Sequence, residues 1–254
     1  MNIARRELMV GLAGLSLATV LANPRLARAA AAGLETVSLT TEGGKTVSAA
    51  LALPAAAPAP AVMLVHEWWG LNDQIKSVAA ELAKLGYLAL AIDLFAGQVA
   101  KTPDEAKALI GGVDAAVATD TVKSWVSWLK KDVRATGKVA TIGWCFGGGW
   151  SLNASLAVPV DGTIVYYGNV AKQAAELGPL VGPVLGHFAE KDQWINRAMV
   201  DGFAAEMKTA GKTLEAHWYD ADHAFANPTG GRYDEADAAL AWQRTTEFLK
   251  RTIG

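Results

Sequence analysis

The sequence is poor in cysteine, since Cys145 is the only one among 254 residues. A single thiol cannot form a disulfide within the chain, which excludes a small scaffold stabilised by disulfides. The thiol also has an unusual setting, because it lies between glycines in the stretch 143–149. A lone cysteine in a glycine-rich turn therefore calls for a chemical explanation.

The sequence also lacks an excess of charge of either sign. It has 23 Lys and Arg against 25 Asp and Glu, which gives a formal net charge of -2 at pH 7. Such a chain has neither a basic field for nucleic acid nor an acidic tail. We therefore expect a small-molecule partner and no nucleic acid.

No apolar run is long enough to span a bilayer, which takes roughly 20 residues. The longest, at 8–22, follows Arg5 and Arg6 and precedes the small-residue pattern at 27–29. This order is typical of a twin-arginine export signal. We predict a signal peptide over residues 1–29, cleavage near Ala29, a periplasmic or exported protein, and no membrane contact after cleavage. An uncleaved anchor is the alternative.

Residues 30–254 are predicted to form a single α/β domain. The segments 35–40 and 45–53 alternate in polarity, as two antiparallel strands would, and a loop is expected at 54–61. From there to the C terminus, apolar strand segments alternate with segments of helical periodicity. This alternation predicts a mostly parallel central sheet with helices on both faces and a ligand site at the carboxyl ends of the strands.

The stretch 143–147 follows a predicted buried strand and opens a glycine-rich helix. Flanking glycines permit the sharp strand-to-helix bend of a nucleophile elbow, here with Cys145 in the place of serine. The backbone N–H of Phe146 would then bind an oxyanion, and the helix N terminus is expected to lower the thiol pKa. A buried structural cysteine beside a tight turn is the alternative.

In α/β-hydrolase chains the nucleophile, the acid and the histidine occur in that order, each after a strand. Asp192 follows Cys145 by 47 residues, and His223 follows Asp192 by 31. We therefore predict a triad in which His223 accepts the thiol proton and Asp192 orients the imidazole. Asp220 and Asp222 are alternatives for the acid. No metal site is expected, because the stretch 66–70 lacks the second histidine of a zinc helix. No other cofactor is expected.

Several stretches together resemble the dienelactone hydrolase family, from about residue 46 to the C terminus. They are the elbow, HEWWGLND at 66–73, AIDLFAGQ at 91–98, YYG at 166–168, FAEKD at 188–192 and DHAFANP at 222–228. The resemblance implies an α/β-hydrolase fold and a metal-free hydrolase of lactones and esters that uses Cys145, Asp192 and His223 and forms a thioester. It also implies that Glu67 holds the resting thiol and helps to activate it, and that Trp68 supplies the second oxyanion N–H. A purely structural Glu67 is the alternative.

The sequence departs from the family at the substrate. Family members that cleave dienelactone use two arginines to bind its carboxylate, and this chain has Gly97 and Asn227 there. We therefore expect a neutral or aromatic ester or lactone, bound by Trp69, Trp144 and Asn227, and a monomeric enzyme. Arg232 lies nearby in sequence and could substitute for them, and a surface arginine in a glycine-rich turn is the alternative. A catalytically weak binding protein that retains the fold is the main rival, and a thiol redox sensor is a weaker one.

Overall fold

A computed structural model describes residues 23–254. Most of the predicted signal peptide lies outside the described residues. The helices are α1 Pro24–Ala31, α2 Asp73–Lys84, α3 Pro103–Gly111, α4 Ala115–Lys131, α5 Phe146–Ala157, α6 Arg197–Thr209 and α7 Glu235–Thr252. The strands are β1 Glu35–Thr40, β2 Thr46–Ala52, β3 Ala59–Val65, β4 Leu88–Ile92, β5 Ala135–Trp144, β6 Gly162–Tyr166, β7 Val184–Ala189 and β8 Leu214–Tyr219.

The strands form one sheet of eight, in the order β1-β2-β4-β3-β5-β6-β7-β8. β1 pairs with β2 and β2 with β4 in antiparallel fashion, and the remaining pairs are parallel. The predicted hairpin and mostly parallel sheet are confirmed. The predicted loop at 54–61 is too long, because the backbone N–H of Ala59 donates to Arg134 O at 2.9 Å and begins β3 beside β5.

The central strands are buried on both faces, so alternate residues of β3 enter two different cores. Val62 and Leu64 pack in a cluster with α2 and α7, while Met63 and Val65 pack in a cluster with α4. All four side chains are fully buried. Burial of each such side chain is worth about 1.5–3 kcal/mol, and it fixes the strand whose end carries the residues of the site.

Helix α1 packs against α2 and includes the position at which signal cleavage is predicted. Ser77 of α2 donates a hydrogen bond to Ala27 O at 2.8 Å, and Ala27 and Ala30 are buried. Ala29 lies inside this helix. Among residues 23–254, no helix is both long and apolar enough to cross a membrane.

The turn between β5 and α5 depends on backbone contacts that only glycine permits. A Cβ on Gly147 would collide with the carbonyl oxygens of Val65 and His66, at the end of β3. A Cβ on Gly143 would collide with the carbonyl of Gly147. The first turn of α5 is thereby pressed against the carboxyl ends of the sheet strands.

We expect Gly147→Ala to lower the free energy of unfolding by at least about 1 kcal/mol, because the colliding atoms belong to the backbone and cannot rotate away. Urea unfolding of both proteins measures the difference. The matched control is Gly202→Ala in α6, where a Cβ meets open space. There the same change should stabilise by up to about 1 kcal/mol, since alanine favours a helix interior. Equal stabilities for the two variants would contradict the close packing of the elbow.

Candidate active site

Cys145 is held in a strained turn at the carboxyl end of β5. Its φ is 54° and its ψ is -117°, and its N–H donates to Tyr166 O at 3.0 Å. For a residue other than glycine, such a conformation raises the free energy of the folded state by about 1–3 kcal/mol, which the surrounding packing must offset. The thiol is half-buried and lies at the N terminus of α5. This geometry is that of a nucleophile elbow.

His223 and Asp192 contact each other directly. His223 Nδ1 donates to Asp192 Oδ2 at 2.6 Å, so Nε2 is left as the basic nitrogen. Asp192 Oδ1 accepts from the backbone N–H groups of Trp194 and Ile195, at 2.8 and 3.0 Å. Burial acts to raise the pKa of Asp192, but the bonds from His223 and Ile195 outweigh it and lower the pKa. A carboxylate held in this way fixes the imidazole tautomer.

The other two aspartates considered for the acid do not occupy this position. Asp220 forms an ion pair with Lys191 at 2.9 Å, on the surface. No hydrogen bond joins Asp222 to the imidazole of His223 in the part of the chain that the structure describes. Asp192 is therefore the carboxylate that the fold brings to His223.

The thiol of Cys145 is surrounded by groups with opposing effects on its charge. The backbone N–H groups of Phe146 and Trp68 approach the sulfur and act to lower its pKa. Burial is the largest influence, and together with the charges of Glu67 and Asp192 it raises the pKa to about 12. The expectation of a lowered thiol pKa is therefore wrong, because burial outweighs the helix N terminus. At rest the thiol is protonated.

Glu67 follows the end of β3 and is buried beside the elbow. Its Oε2 accepts from Asn227 Nδ2 at 2.5 Å, and its Oε1 accepts from the Tyr167 hydroxyl at 3.4 Å. Burial raises the pKa of Glu67 to about 7, against the opposing effects of Asn227, His223 and Tyr167. Sequence reasoning singled out Glu67 but gave Tyr167 no role. The position of Tyr167 directly after β6, at the carboxyl edge of the sheet, was the sequence signal that could have placed it at the site.

His66 shapes the loop that carries Glu67 and Trp68. Its Nε2 accepts from the N–H of Leu94 at 3.1 Å, so the proton is on Nδ1, which donates to Glu67 O at 2.6 Å. Burial lowers the pKa of His66. A neutral imidazole therefore ties the end of β3 to the end of β4 and fixes the backbone that presents the Trp68 N–H.

These residues open into one cleft of about 760 Å³. Cys145, Glu67, Tyr167 and His223 all line it. Much of its wall is aromatic, formed by Trp68, Trp69, Phe146, Trp150 and Trp194. A concave, largely apolar cleft with a few convergent polar groups is typical of a small-molecule site.

The predicted substrate-binding residues divide between the cleft and the core. Trp69 and Asn227 line the cleft. Trp144 does not, because the last side chain of β5 points into the core beneath the sheet edge, where its ring lies 5.5 Å from that of Tyr166. The prediction for Trp144 is wrong for this reason. No cluster of three or more metal-ligating side chains occurs within residues 23–254.

Comparisons with known proteins place the chain in one family. A model described as the dienelactone hydrolase family matches residues 47–253. The carboxymethylenebutenolidase of Pseudomonas putida is 27% identical over 230 residues, which cover 85% of this chain and 95% of that protein. Carboxymethylenebutenolidase 1 of Cupriavidus pinatubonensis is 26% identical over 223 residues, 84% of this chain and 95% of that protein.

A solved structure supports the fold. A dienelactone hydrolase-like promiscuous phosphotriesterase from metagenomic libraries superposes with a TM-score of 0.79 at 23% identity, over 87% of this chain and 99% of that one. The predicted α/β-hydrolase fold is thereby confirmed.

The raised pKa of Glu67 predicts a pH-dependent effect on stability. An unfolded glutamate ionises near 4.5 and the folded one near 7, so the folded protein binds the extra proton between these values. The stability that Glu67 contributes is therefore present below pH 4.5 and is lost as the pH rises through 7. We expect Glu67→Gln, measured by thermal unfolding, to stabilise the protein at pH 8 and to have little effect at pH 5.

The matched control is Glu247→Gln, at an exposed position of α7. Its effect should stay within about 0.5 kcal/mol at both pH values. A gain for Glu67→Gln that is the same at pH 5 and pH 8 would contradict the buried, titrating carboxylate.

Proposed function

The chain belongs to the dienelactone hydrolase family, and on that basis we propose that it hydrolyses a lactone or carboxylic ester by covalent catalysis through Cys145, His223 and Asp192. The observation that carries the proposal is the 2.6 Å bond between His223 and Asp192, in a cleft that also holds the elbow cysteine. A structural cysteine would need neither an oriented imidazole nor an opening to the cleft.

In the first half of the reaction, the sulfur of Cys145 attacks the carbonyl carbon while the thiol proton passes to His223 Nε2. The tetrahedral oxyanion accepts hydrogen bonds from the N–H groups of Phe146 and Trp68. Asp192 stabilises the imidazolium. The carbon–oxygen bond to the leaving group then breaks, and His223 returns the proton to the departing oxygen, which leaves a thioester on Cys145.

In the second half, water attacks the thioester carbon and gives a proton to His223. The carbon–sulfur bond breaks, the carboxylic acid leaves, and the sulfur recovers the proton. Because the thiol pKa is about 12, the resting enzyme holds almost no thiolate at pH 7. Proton transfer must therefore accompany attack on a bound substrate, while the two N–H groups stabilise the developing charge.

We propose a neutral or aromatic substrate. The aromatic cleft wall offers stacking and apolar contact. Gly97, at one family arginine position, supplies no charge, and at the other the amide of Asn227 bonds to Glu67. Of the cations at the cleft, Lys107 and Lys172 pair with Asp104 and Glu176, each at 3.6 Å.

Arg232 also lines the cleft, but its guanidinium contacts other residues of the cleft wall. Its guanidinium donates to His223 O at 3.5 Å and lies 5.4 Å from the Trp194 ring. These three cations already have protein partners, so none of them is placed to bind a substrate carboxylate beside the thiol. We also propose that the monomer is active, since one chain supplies Cys145, Asp192 and His223 together.

Hydrolysis of three substrates by the mature protein tests the proposal: a neutral aryl ester, a neutral lactone and a carboxylated dienelactone. We expect neutral substrates to have the higher kcat/KM, and Cys145→Ala to lower turnover by at least about 10³-fold. Undiminished turnover in Cys145→Ala would refute the nucleophile. Faster cleavage of the carboxylated substrate would refute the preference. Quenching of tryptophan fluorescence without product would favour the binding-protein rival.

We also propose that the chain is exported through its twin-arginine signal. The pair Arg5 and Arg6 ahead of the apolar run supports this. Replacing both by lysine should leave the protein in the cytoplasm, as measured by fractionation. The matched control replaces Arg25 and Arg28 by lysine, after the run, and should still be exported. Equal export of both double variants would contradict the proposal.

A further inference from the structure

Two uncharged donors from different segments hold the carboxylate of Glu67. Asn227 Nδ2 donates to Oε2 at 2.5 Å, and the Tyr167 hydroxyl donates to Oε1 at 3.4 Å. All three side chains are buried. Each carboxylate oxygen has its own partner, so the carboxylate cannot turn without losing a hydrogen bond.

The orientation of Asn227 is itself fixed. Its Oδ1 accepts from the N–H and the hydroxyl of Thr229, at 2.9 and 2.7 Å. An amide oxygen has two lone pairs, and both are filled by these bonds. The NH₂ group is therefore the side of the amide that faces Glu67, and the oxygen is not available to a substrate.

The position of Tyr167 is fixed by its backbone conformation and by ring contacts. Its φ is 36°, which is uncommon for an aromatic residue, and its N–H donates to His187 O at 2.8 Å. The ring lies 5.2 Å from the ring of His223 and 5.5 Å from that of Phe225. This backbone conformation directs the phenol into the cleft, toward Glu67.

The charge of Glu67 acts on the thiol. The titratable groups that face Glu67 are Cys145, His223 and Tyr167, and no lysine or arginine forms an ion pair with it in the described part of the chain. After burial, the Glu67 charge is the next largest influence that raises the pKa of Cys145. A proton on Glu67 would remove this charge.

We propose that Asn227 and Tyr167 are positioning residues, which hold the carboxylate of Glu67 beside Cys145 so that its negative charge adds to burial in keeping the resting thiol protonated. The inference deepens the proposed function and rests on it, since it concerns the nucleophile assigned there. It gives Asn227 a role other than substrate binding, and it gives Tyr167 a role that the sequence did not indicate.

The rate of Cys145 alkylation by iodoacetamide, measured from pH 5 to pH 10, tests the proposal. The reaction needs no ester, and the chain has one thiol. The rate should rise by less than tenfold per pH unit around pH 7, because the thiol pKa increases as Glu67 ionises. We call this region of reduced slope in the pH–rate profile the flattening. In Glu67→Gln the flattening should disappear, and the alkylation rate at pH 8 should increase at least about threefold.

Asn227→Ala and Tyr167→Phe each remove one donor from the carboxylate and so favour its protonated form. The flattening should move to higher pH by about half a unit or more, with the larger shift for Asn227→Ala, whose bond is shorter. The matched control is Asn153→Ala, another cleft asparagine, which does not bond to Glu67. It should leave the flattening at its original pH.

A purely structural role would change the amount of folded protein, but not the pH of the flattening. Flattening that persists in Glu67→Gln would overturn the proposal, as would an unshifted profile in Tyr167→Phe. Tyr167→Phe keeps the packed ring, so it decides the question even where Asn227→Ala fails to fold. Hydrolysis that survives Cys145→Ala would refute the proposed function instead, whatever the alkylation result.

Discussion

The site depends on one local constraint, the left-handed backbone at Cys145. That turn converts the end of β5 into the start of α5 within a single residue, and Gly147 must then lie against the carbonyl of Val65. The N–H of Phe146 faces the sulfur only because the helix begins at once. If the turn relaxed, the thiol, the N–H of Phe146 and the contact with the loop after β3 would all move together.

The two proposed oxyanion donors are anchored by independent means. Phe146 is fixed by the helix, whereas Trp68 lies on a loop that a buried, neutral His66 ties to Leu94. His66 also lies 5.9 Å, ring to ring, from Phe146 in a stacked arrangement. One imidazole thus contacts both halves of the proposed oxyanion site, so the core fixes their spacing.

The sequence predicted the features that depend on local pattern and chain order. Alternating polarity predicted the first hairpin, continuous apolar runs predicted the parallel strands, and the glycines predicted the elbow. The order of the proposed triad residues followed from the strands that precede them. The start of β3 at Ala59 was missed, because its partner Arg134 lies 75 residues away and no local pattern reports it.

Features that depend on burial could not be predicted in the same way. Trp144 was placed at the site because of its sequence neighbours, yet strand alternation turns its side chain into the core. A helix N terminus lowers a thiol pKa in solvent, but here burial acts more strongly on the sulfur, which also lies near two carboxylates. The role of Tyr167 needed the distance to Glu67, which lies 100 residues earlier in the chain.

The packing of α1 makes the predicted signal cleavage depend on local unfolding. With Ala27 bonded to Ser77 and Ala30 buried against α2, the peptide bond after Ala29 is part of a folded helix. A protease that cuts there must capture α1 in an opened state. In a chain exported already folded, maturation would then be timed by the detachment of two helical turns, and the stability of the contact between α1 and α2 would set the processing rate.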